Sequence, residues 1–455
     1  MIFLFELSVK SVRQKAGVPG DDCSGPGFPG HHGGFRPSWS FWRTAMAPLT
    51  LLRVFLPFSL GYFLSYLYRT VNAVIAPDLV RDVGLDPAGL GLLTSAYFLF
   101  FAAFQLPLGV LLDRFGPRRV EAALLLLAAV GAFVFARAET FAGLMLGRAL
   151  IGLGVSACLM AAFKAFTLWF PPERLPLVNG VQMVSGGVGA LAATAPVEFA
   201  LQVTDWRGVF LAVAALTLLA AILVFLVVPE KEGPGVGESL REAISGIATV
   251  LSDRTFRRIA PWAVAGQAAY LSILGLWSGP WLRDVAGYGR MEVAGTLMGI
   301  SLAMIAGYFS FGALADRLGR RGVKPMRVAA AGMGAFMGVQ FLLVLQPAVG
   351  TVPLWLLFGF CGTSCILPYA ALSQGFPRHL AGRANTGLNL PVFVAAFVAQ
   401  WAIGAIIGLW PETATGGYDP AGYRAGFGVV LGLQGLAGGW YWVRGKVDSS
   451  SKCTT

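Results

Sequence analysis

Charge is what this chain has least of. Only 13% of its 455 residues are Asp, Glu, Lys or Arg, and 56% are hydrophobic; a soluble globular domain carries about 25% charged residues. With a mean hydropathy of +0.69, the chain cannot clothe itself in a hydrated surface. That excludes a soluble globular protein and predicts a polytopic membrane protein. Histidine is scarcer still, with three in all: His31, His32 and His379. None falls in an apolar run, which removes both a His-rich metal cluster and a histidine proton relay inside the membrane. The His31-His32 pair, in a Gly-rich stretch, reads as chance neighbours. No G-x-x-x-x-G-K-[ST] loop occurs, so ATP-driven transport has no basis. No nucleophile-and-base constellation appears in the apolar runs either, which argues against an enzyme. Cys361 and Cys365 stand one helical turn apart, a spacing open to a shared metal or a redox pair, but they read as small, soft core residues. No cofactor and no metal are expected.

What the chain has in quantity is apolar runs near the roughly 20 residues that a helix needs to cross a bilayer. Twelve are found, at roughly 50–77, 88–112, 118–137, 140–165, 176–203, 207–228, 257–283, 292–315, 325–346, 352–375, 384–409 and 422–444. The expected organisation is an N-terminal six-helix bundle over 48–228, a central cytoplasmic loop over 229–256, a C-terminal six-helix bundle over 257–445 and a tail over 446–455. Residues 1–47 are rich in Gly and Pro without a sustained apolar period, which predicts a disordered segment. Their apolar start is too short for a secretory signal and has no basic region before it. Met46, just before the first run, offers an alternative start.

The basic residues set the orientation. If the N-terminus is cytoplasmic, 25 of the 34 Lys and Arg fall on the inner side and six on the outer (Arg81, Arg137, Arg207, Arg283, Arg290 and Arg424). This is the bias of the positive-inside rule, with both termini cytoplasmic. The net charge of +11 is therefore topological, and nucleic acid is not an expected partner. Three cations remain inside the runs: Arg69, Arg148 and Lys164.

One motif occurs twice. Gly109-Val-Leu-Leu-Asp113-Arg114-Phe-Gly116-Pro-Arg118-Arg119 ends the second run, and Gly312-Ala-Leu-Ala-Asp316-Arg317-Leu-Gly319-Arg320-Arg321 ends the eighth. The repeat predicts two homologous halves. With its G-x-L-x-D-R-x-G core and arginine pair, the sequence resembles the major facilitator superfamily over nearly all of 48–445. The second copy is one residue shorter before its arginines. The resemblance implies an all-α membrane protein of twelve transmembrane helices in two six-helix bundles, which rock between inward-open and outward-open states about a site near the midplane. It implies gating by Gly109, Asp113, Arg114, Gly116, Gly312, Asp316, Arg317 and Gly319. In that reading the first glycines let helices approach closely, and the aspartates meet a helix N-terminus and an arginine across the bundle interface. The distal arginines set topology.

Arg148-Ala-Leu-Ile-Gly152 is similar to the superfamily's R-x-x-x-G pattern, linked there to proton coupling; a structural ion pair is the other reading. Tyr66-Leu-Tyr68-Arg69, and Lys164 before Trp169-Phe170, resemble the organic-anion and organophosphate branch. There the matching arginine binds an anionic group from the cavity, a task suited to a planar guanidinium. Lys164 either shares in binding or gating or snorkels to the interface. The organophosphate exchangers carry a second arginine in span seven, where this chain has Gln267, Tyr270 and Ser272. A singly charged carboxylate therefore fits better than a phosphate ester. Gly186-Gly187-Val-Gly189 loosely echoes the nitrate and nitrite porters, and close helix packing explains it as well.

A proton carrier needs a titratable group within the membrane. With Glu121 placed at the cytoplasmic edge of span three, Glu198 in span five is the leading choice, either as a proton relay or as the partner of a nearby arginine. Tyr97, Gln182, Gln267, Tyr270 and Asn389 are expected to line the substrate cavity, along with Asn72 and Gln400; each can instead serve as an interhelical hydrogen bond. The expected function is proton-linked secondary transport of a small organic anion across the inner or plasma membrane by a monomer, with the bilayer, the solute and H+ as its partners. Efflux of hydrophobic or cationic compounds and a solute receptor that does not transport are the alternatives.

Overall fold

Backbone amides have no water to bond in a bilayer, so a chain of long apolar runs satisfies them within helices. A computed structural model describes residues 48–171, 174–231, 240–347, 349–413 and 416–450. The expected disordered segment 1–47, with its His31-His32 pair and Met46, lies outside them, as do the last five residues of the expected tail. The described residues belong to one unit, Ala45–Thr455, and among them every regular element is a helix.

Among the described residues ten helices are long and apolar enough to cross a membrane. The longest, Pro87–Arg137, runs for 51 residues, more than twice what a bilayer requires. It breaks at Gly116, where φ is 77° and ψ 160°, and so covers spans two and three. Before it comes span one, Leu51–Thr70, extended by Asn72–Val83. Then follow span four, Phe141–Trp169, span five, Leu177–Leu201, and span six, Trp206–Val227. The second half holds Arg254–Asp284, Arg290–Gly319, Pro325–Leu345, Thr351–Gly375 and Gly382–Ile407, which are spans seven to eleven. A final helix, Pro420–Ser450, supplies span twelve. The part of the central loop that is described is not all irregular: it contains a short helix, Leu240–Ser252.

Several spans are interrupted within their length. Span four pauses at Val155–Ala157 between Phe141–Gly154 and Cys158–Trp169. Span five breaks at Thr194, span seven holds a π-helical turn at Ile273–Trp277, and span ten a 3-10 turn at Thr363–Ile366. Interruptions of this kind, buried within protein, are where transporter helices form sites.

Each half is tied internally by buried polar bonds. Tyr68 Oη lies 2.8 Å from Thr217 Oγ1, and Ser59 Oγ donates to Gln182 Oε1 at 2.8 Å. In the second half Gln434 Nε2 donates to Gln340 Oε1 at 2.7 Å, and Tyr270 Oη to the Gly359 carbonyl at 3.2 Å. The halves meet through spans one and seven, two and eleven, and five and eight. Gly279 lies on the Ala73 backbone and Gly404 on that of Pro87, so tightly that neither site has room for a Cβ.

The Gly116 backbone lies in a region that is essentially glycine-only, where another residue costs about 1–3 kcal/mol. Gly116→Ala should therefore lower the melting temperature of the purified protein in detergent, while Gly109→Ala, in open space, leaves it unchanged. Equal melting of the two variants would contradict the assignment of the break to Gly116.

Candidate solute site and gate

Span one brings Arg69 to the surface where the halves meet, with only 8% of the residue exposed. Its guanidinium carbon lies 4.6 Å from the ring centre of Tyr66, 5.7 Å from Tyr97, 5.5 Å from Phe101 and 5.3 Å from Phe393. The first three rings belong to spans one and two, and Phe393 comes from span eleven, so both halves build the cage. Phe101 and Phe393 seal it with ring centres 4.3 Å apart. Among the described residues Arg69 forms no salt bridge, and its Nε has no hydrogen-bond partner. The rings recover about 2 kcal/mol at a desolvated cation, while removing an ion from water costs several. This cation is held short of an anion.

Polar groups around it are also unmatched. Asn72 Oδ1, one turn beyond Arg69, and Gln400 Oε1 in span eleven are buried without a donor. Gln400 Nε2 donates to Thr94 Oγ1 at 2.7 Å, joining spans eleven and two. A cavity of about 360 Å³ opens between the halves, lined in part by Met183, Val184, Ile305, Tyr308 and Tyr369. Tyr369 is within electrostatic reach of Arg69, and Tyr308 of Tyr62, Tyr66 and Tyr270. The wall is largely apolar, with Tyr308 and Tyr369 as its tyrosines.

The other expected site residues are distributed as follows. Tyr97 stands beside Arg69, its hydroxyl donating to the Ser65 carbonyl at 3.2 Å. Asn389 donates to Gln105 Oε1 across the halves at 3.3 Å and accepts from Tyr369 at 3.0 Å. Gln267 is buried on span seven. Gln182 and Tyr270 are engaged in the interhelical bonds given above. Lys164 is not at this site: it pairs with Asp113 at the far end of span four. Arg148 is 1% exposed and forms no ion pair among the described residues; it donates to the carbonyls of Tyr68 at 3.2 Å and Thr94 at 3.4 Å. It thereby pins span four to spans one and two.

The duplicated motif behaves differently from expectation. Asp113 bonds within its own half, to Lys164, and Asp316 bonds Arg320, just past the end of its own helix, at 2.8 Å; neither crosses the interface. Gly109, Gly312 and Gly319 face open space, so close helix approach is not their role here. Gly116 supplies the turn. Arg114 lies over the Phe115 ring, 5.3 Å away. Arg118 and Arg119 reach Glu230, the former at 3.6 Å. In span five, Gly186 abuts Tyr62 and Tyr66, Gly187 abuts Ile305 across the interface, and Gly189 lies on the Phe63 backbone, which is close packing.

The ion pairs that cross the interface lie at the opposite end. Arg290, opening span eight, forks onto Asp78 with Nη1–Oδ1 3.0 Å and Nη2–Oδ2 2.8 Å, and its Nε donates to Glu198 Oε1 at 2.8 Å. Both acids belong to the first half and are buried, while Arg290 is half-exposed. Glu198 is therefore occupied as an arginine's partner.

Comparison with known proteins fits this architecture. The family model of the Major Facilitator Superfamily matches residues 58–409. The chain belongs to that superfamily. It is a multi-pass membrane transporter and not an enzyme. It is 26% identical to the "Probable sulfoacetate transporter" of Cupriavidus necator over 83% of this chain and 90% of that one. It is 25% identical to the hexuronate transporter of Escherichia coli K12 over 52% of this chain and 58% of that one. A solved bacterial homologue of the lysosomal transporter Spinster, inward-facing and occupied, superposes with a TM-score of 0.69 at 17% identity, covering 86% of this chain and 96% of that one. The crystal structure of a D-xylose-proton symporter gives 0.67 at 15% identity, over 86% and 97%.

Sequence reasoning about this transporter missed Asp78 and Arg290. Arg290 was legible only as an outer-side charge, and its acidic partners lie 212 and 92 residues away. A half-exposed arginine in such a pairing is worth about 1 kcal/mol, or roughly fivefold in an equilibrium. Arg290→Ala should thus open this end, raising the labelling rate of a cysteine introduced at Val74, buried beside Glu198 and Arg290, by a membrane-impermeant thiol reagent. Labelling as slow as in the Val74→Cys parent would contradict the lock.

Proposed function

We propose that this transporter moves a small organic anion of the carboxylate type by alternating access, coupled to H+, with Arg69 as the residue that grips the anion. The observation that carries the reading is the caged guanidinium at the meeting of the halves, buried and without an acidic partner. An anion that binds there supplies the charge the fold withholds, and its cost of leaving water is offset by a bidentate, charge-assisted contact. The names of the relatives point the same way, since sulfoacetate and hexuronates are organic anions. Tyr97 and Asn389 would complete the site, Gln267 and Tyr270 would line its approach, and Lys164 would act through Asp113 as part of the gate.

In this reading the end bearing Asp113 and Asp316 faces the cytoplasm with both termini, as the distribution of Lys and Arg supports. The membrane is the inner or plasma membrane. With the Asp78–Arg290–Glu198 contacts made, the outer end is closed and solute enters or leaves from the cytoplasmic side. Efflux of cations fits less well: it asks for Arg69 neutralised by an acid and Glu198 open to the cavity, and neither arrangement is present.

Uptake of labelled sulfoacetate, glucuronate, galactonate and glycerol phosphate into proteoliposomes tests the reading. The parent should take up at least one carboxylate and prefer it to the phosphate ester. Arg69→Ala should abolish that uptake, and Arg69→Lys should weaken it, because an ammonium cannot reproduce the planar fork. Unchanged uptake in Arg69→Ala would sink the anion assignment, and uptake indifferent to an imposed pH gradient would remove proton coupling.

A further inference from the structure

Near the basic end of span three sits a carboxyl group with no partner. Glu121, one turn past the Gly116 break, is 0% exposed, and both of its carboxylate oxygens lack a hydrogen-bond partner. It stands at the end of span three where it was expected, but turned inward, against span one. Oε1 rests on the backbone at Gly61, so close that a Cβ there would collide with it. Among the described residues no other Asp or Glu side chain is buried with both oxygens unmatched. An ionised carboxylate left without a donor costs far more than a neutral carboxylic acid in the same place, so the group fits this site with a proton on it.

The groups that face it are few. Span four contributes Cys158, which is within electrostatic reach of both Glu121 and Arg69. Span one contributes Gly61 and, beside it, Tyr62, whose hydroxyl lies on Met183 Sδ. On its own helix Arg118 and Arg119 turn away to Glu230, and Leu125 packs below. Lys164, further along span four, is taken by Asp113. None of these cations pairs with the carboxyl.

Its surroundings are also tied to the interface between the halves. Cys158 begins the second segment of span four, directly after the pause at Val155–Ala157. Within that pause the Ser156 carbonyl accepts from Gln105 Nε2 at 3.3 Å, and Gln105 accepts in turn from Asn389 of the second half. The Asn389–Gln105 bond thus links the second half to the pause in span four from which the segment beside Glu121 starts. Gly61 and Arg69 share span one, about 12 Å apart by helix rise, so a charge at either site biases the other through apolar protein.

We propose that Glu121 is the proton-binding group of this transporter, loading H+ from water on one side of the membrane and releasing it to water on the other as the helices around it part and close. In place of the Glu198 carboxylate, already held by Arg290, Glu121 becomes the site of coupling. The proposal rests on the reading of proton-linked transport, and its test separates the two.

The test combines infrared difference spectroscopy and transport, both on the full chain. In lipid nanodiscs, stepping the pH from acid to alkaline should remove a protonated-carboxyl band that is present in the parent and in Glu198→Gln and missing in Glu121→Gln. In proteoliposomes, with whichever labelled carboxylate the parent carries, Glu121→Gln should lose stimulation by a pH gradient yet keep exchange of internal for external solute. Glu121→Asp, which restores the acid, should recover stimulation in part. A band that persists in Glu121→Gln, or gradient-driven uptake that survives in it, overturns the proposal. If Glu121→Gln does not fold, the band is assigned in the parent and Glu121→Asp, and its absence from both overturns the proposal equally. If the parent carries no labelled carboxylate, the anion reading fails while the band still reports whether Glu121 takes the proton.

Discussion

A guanidinium deprived of its counter-ion, at the surface where two six-helix bundles meet, is the constraint around which the rest of this molecule is arranged. Desolvating an ion is among the most expensive things a fold can do, and here it is done with no acid paired to it among the described residues. Rings from both halves surround Arg69, and Phe393, packed on Phe101, closes the cage from the second half. The cage is therefore complete only when the halves are together, which makes the charge sensitive to their separation. Asn72 and Gln400, each with a buried amide oxygen lacking a donor, extend the deficit along the same seam.

The ends of the seam are handled differently. At one, Arg290 spans the interface to Asp78 and Glu198, and glycines at 279 and 404 bring backbones into contact. At the other, the repeated motif keeps its charges within each half. Among the described residues the ion pairs that cross the interface lie at one end only, and the motif's acids are bonded within their own halves. Charge pairs of this kind are exchangeable: a partly exposed arginine is released at modest cost, which suits a gate better than a permanent joint.

Much of the architecture was legible because it is written locally. Span nine was expected at 325–346 and is found at Pro325–Leu345, since Pro at the first turn and the loss of apolar period mark the ends. The break at Gly116 follows from a Gly-Pro pair between two apolar runs. Arg69 stood out because a cation in an apolar run is costly anywhere. What escaped was everything decided by distant partners. Lys164 was as conspicuous as Arg69, yet its proximity to Asp113 is set by how spans two and four pack. Gly109 and Gly312 shared a motif without sharing a tight contact. Glu121 passed as an edge residue, because nothing in the local pattern tells which way a helix turns a single acid.

The central claim is that Arg69 is an uncompensated buried charge awaiting an anion, and it is tested most directly by thermal unfolding of the purified protein with and without a carboxylate ligand. Replacing the charge by a neutral amide in Arg69→Gln should raise the melting temperature of the unliganded protein, since a desolvation cost disappears. It should also erase the further rise that saturating carboxylate gives the parent, an effect of about 2.7 kcal/mol at a hundred times the dissociation constant. A fall in unliganded stability together with an undiminished ligand shift would contradict the account.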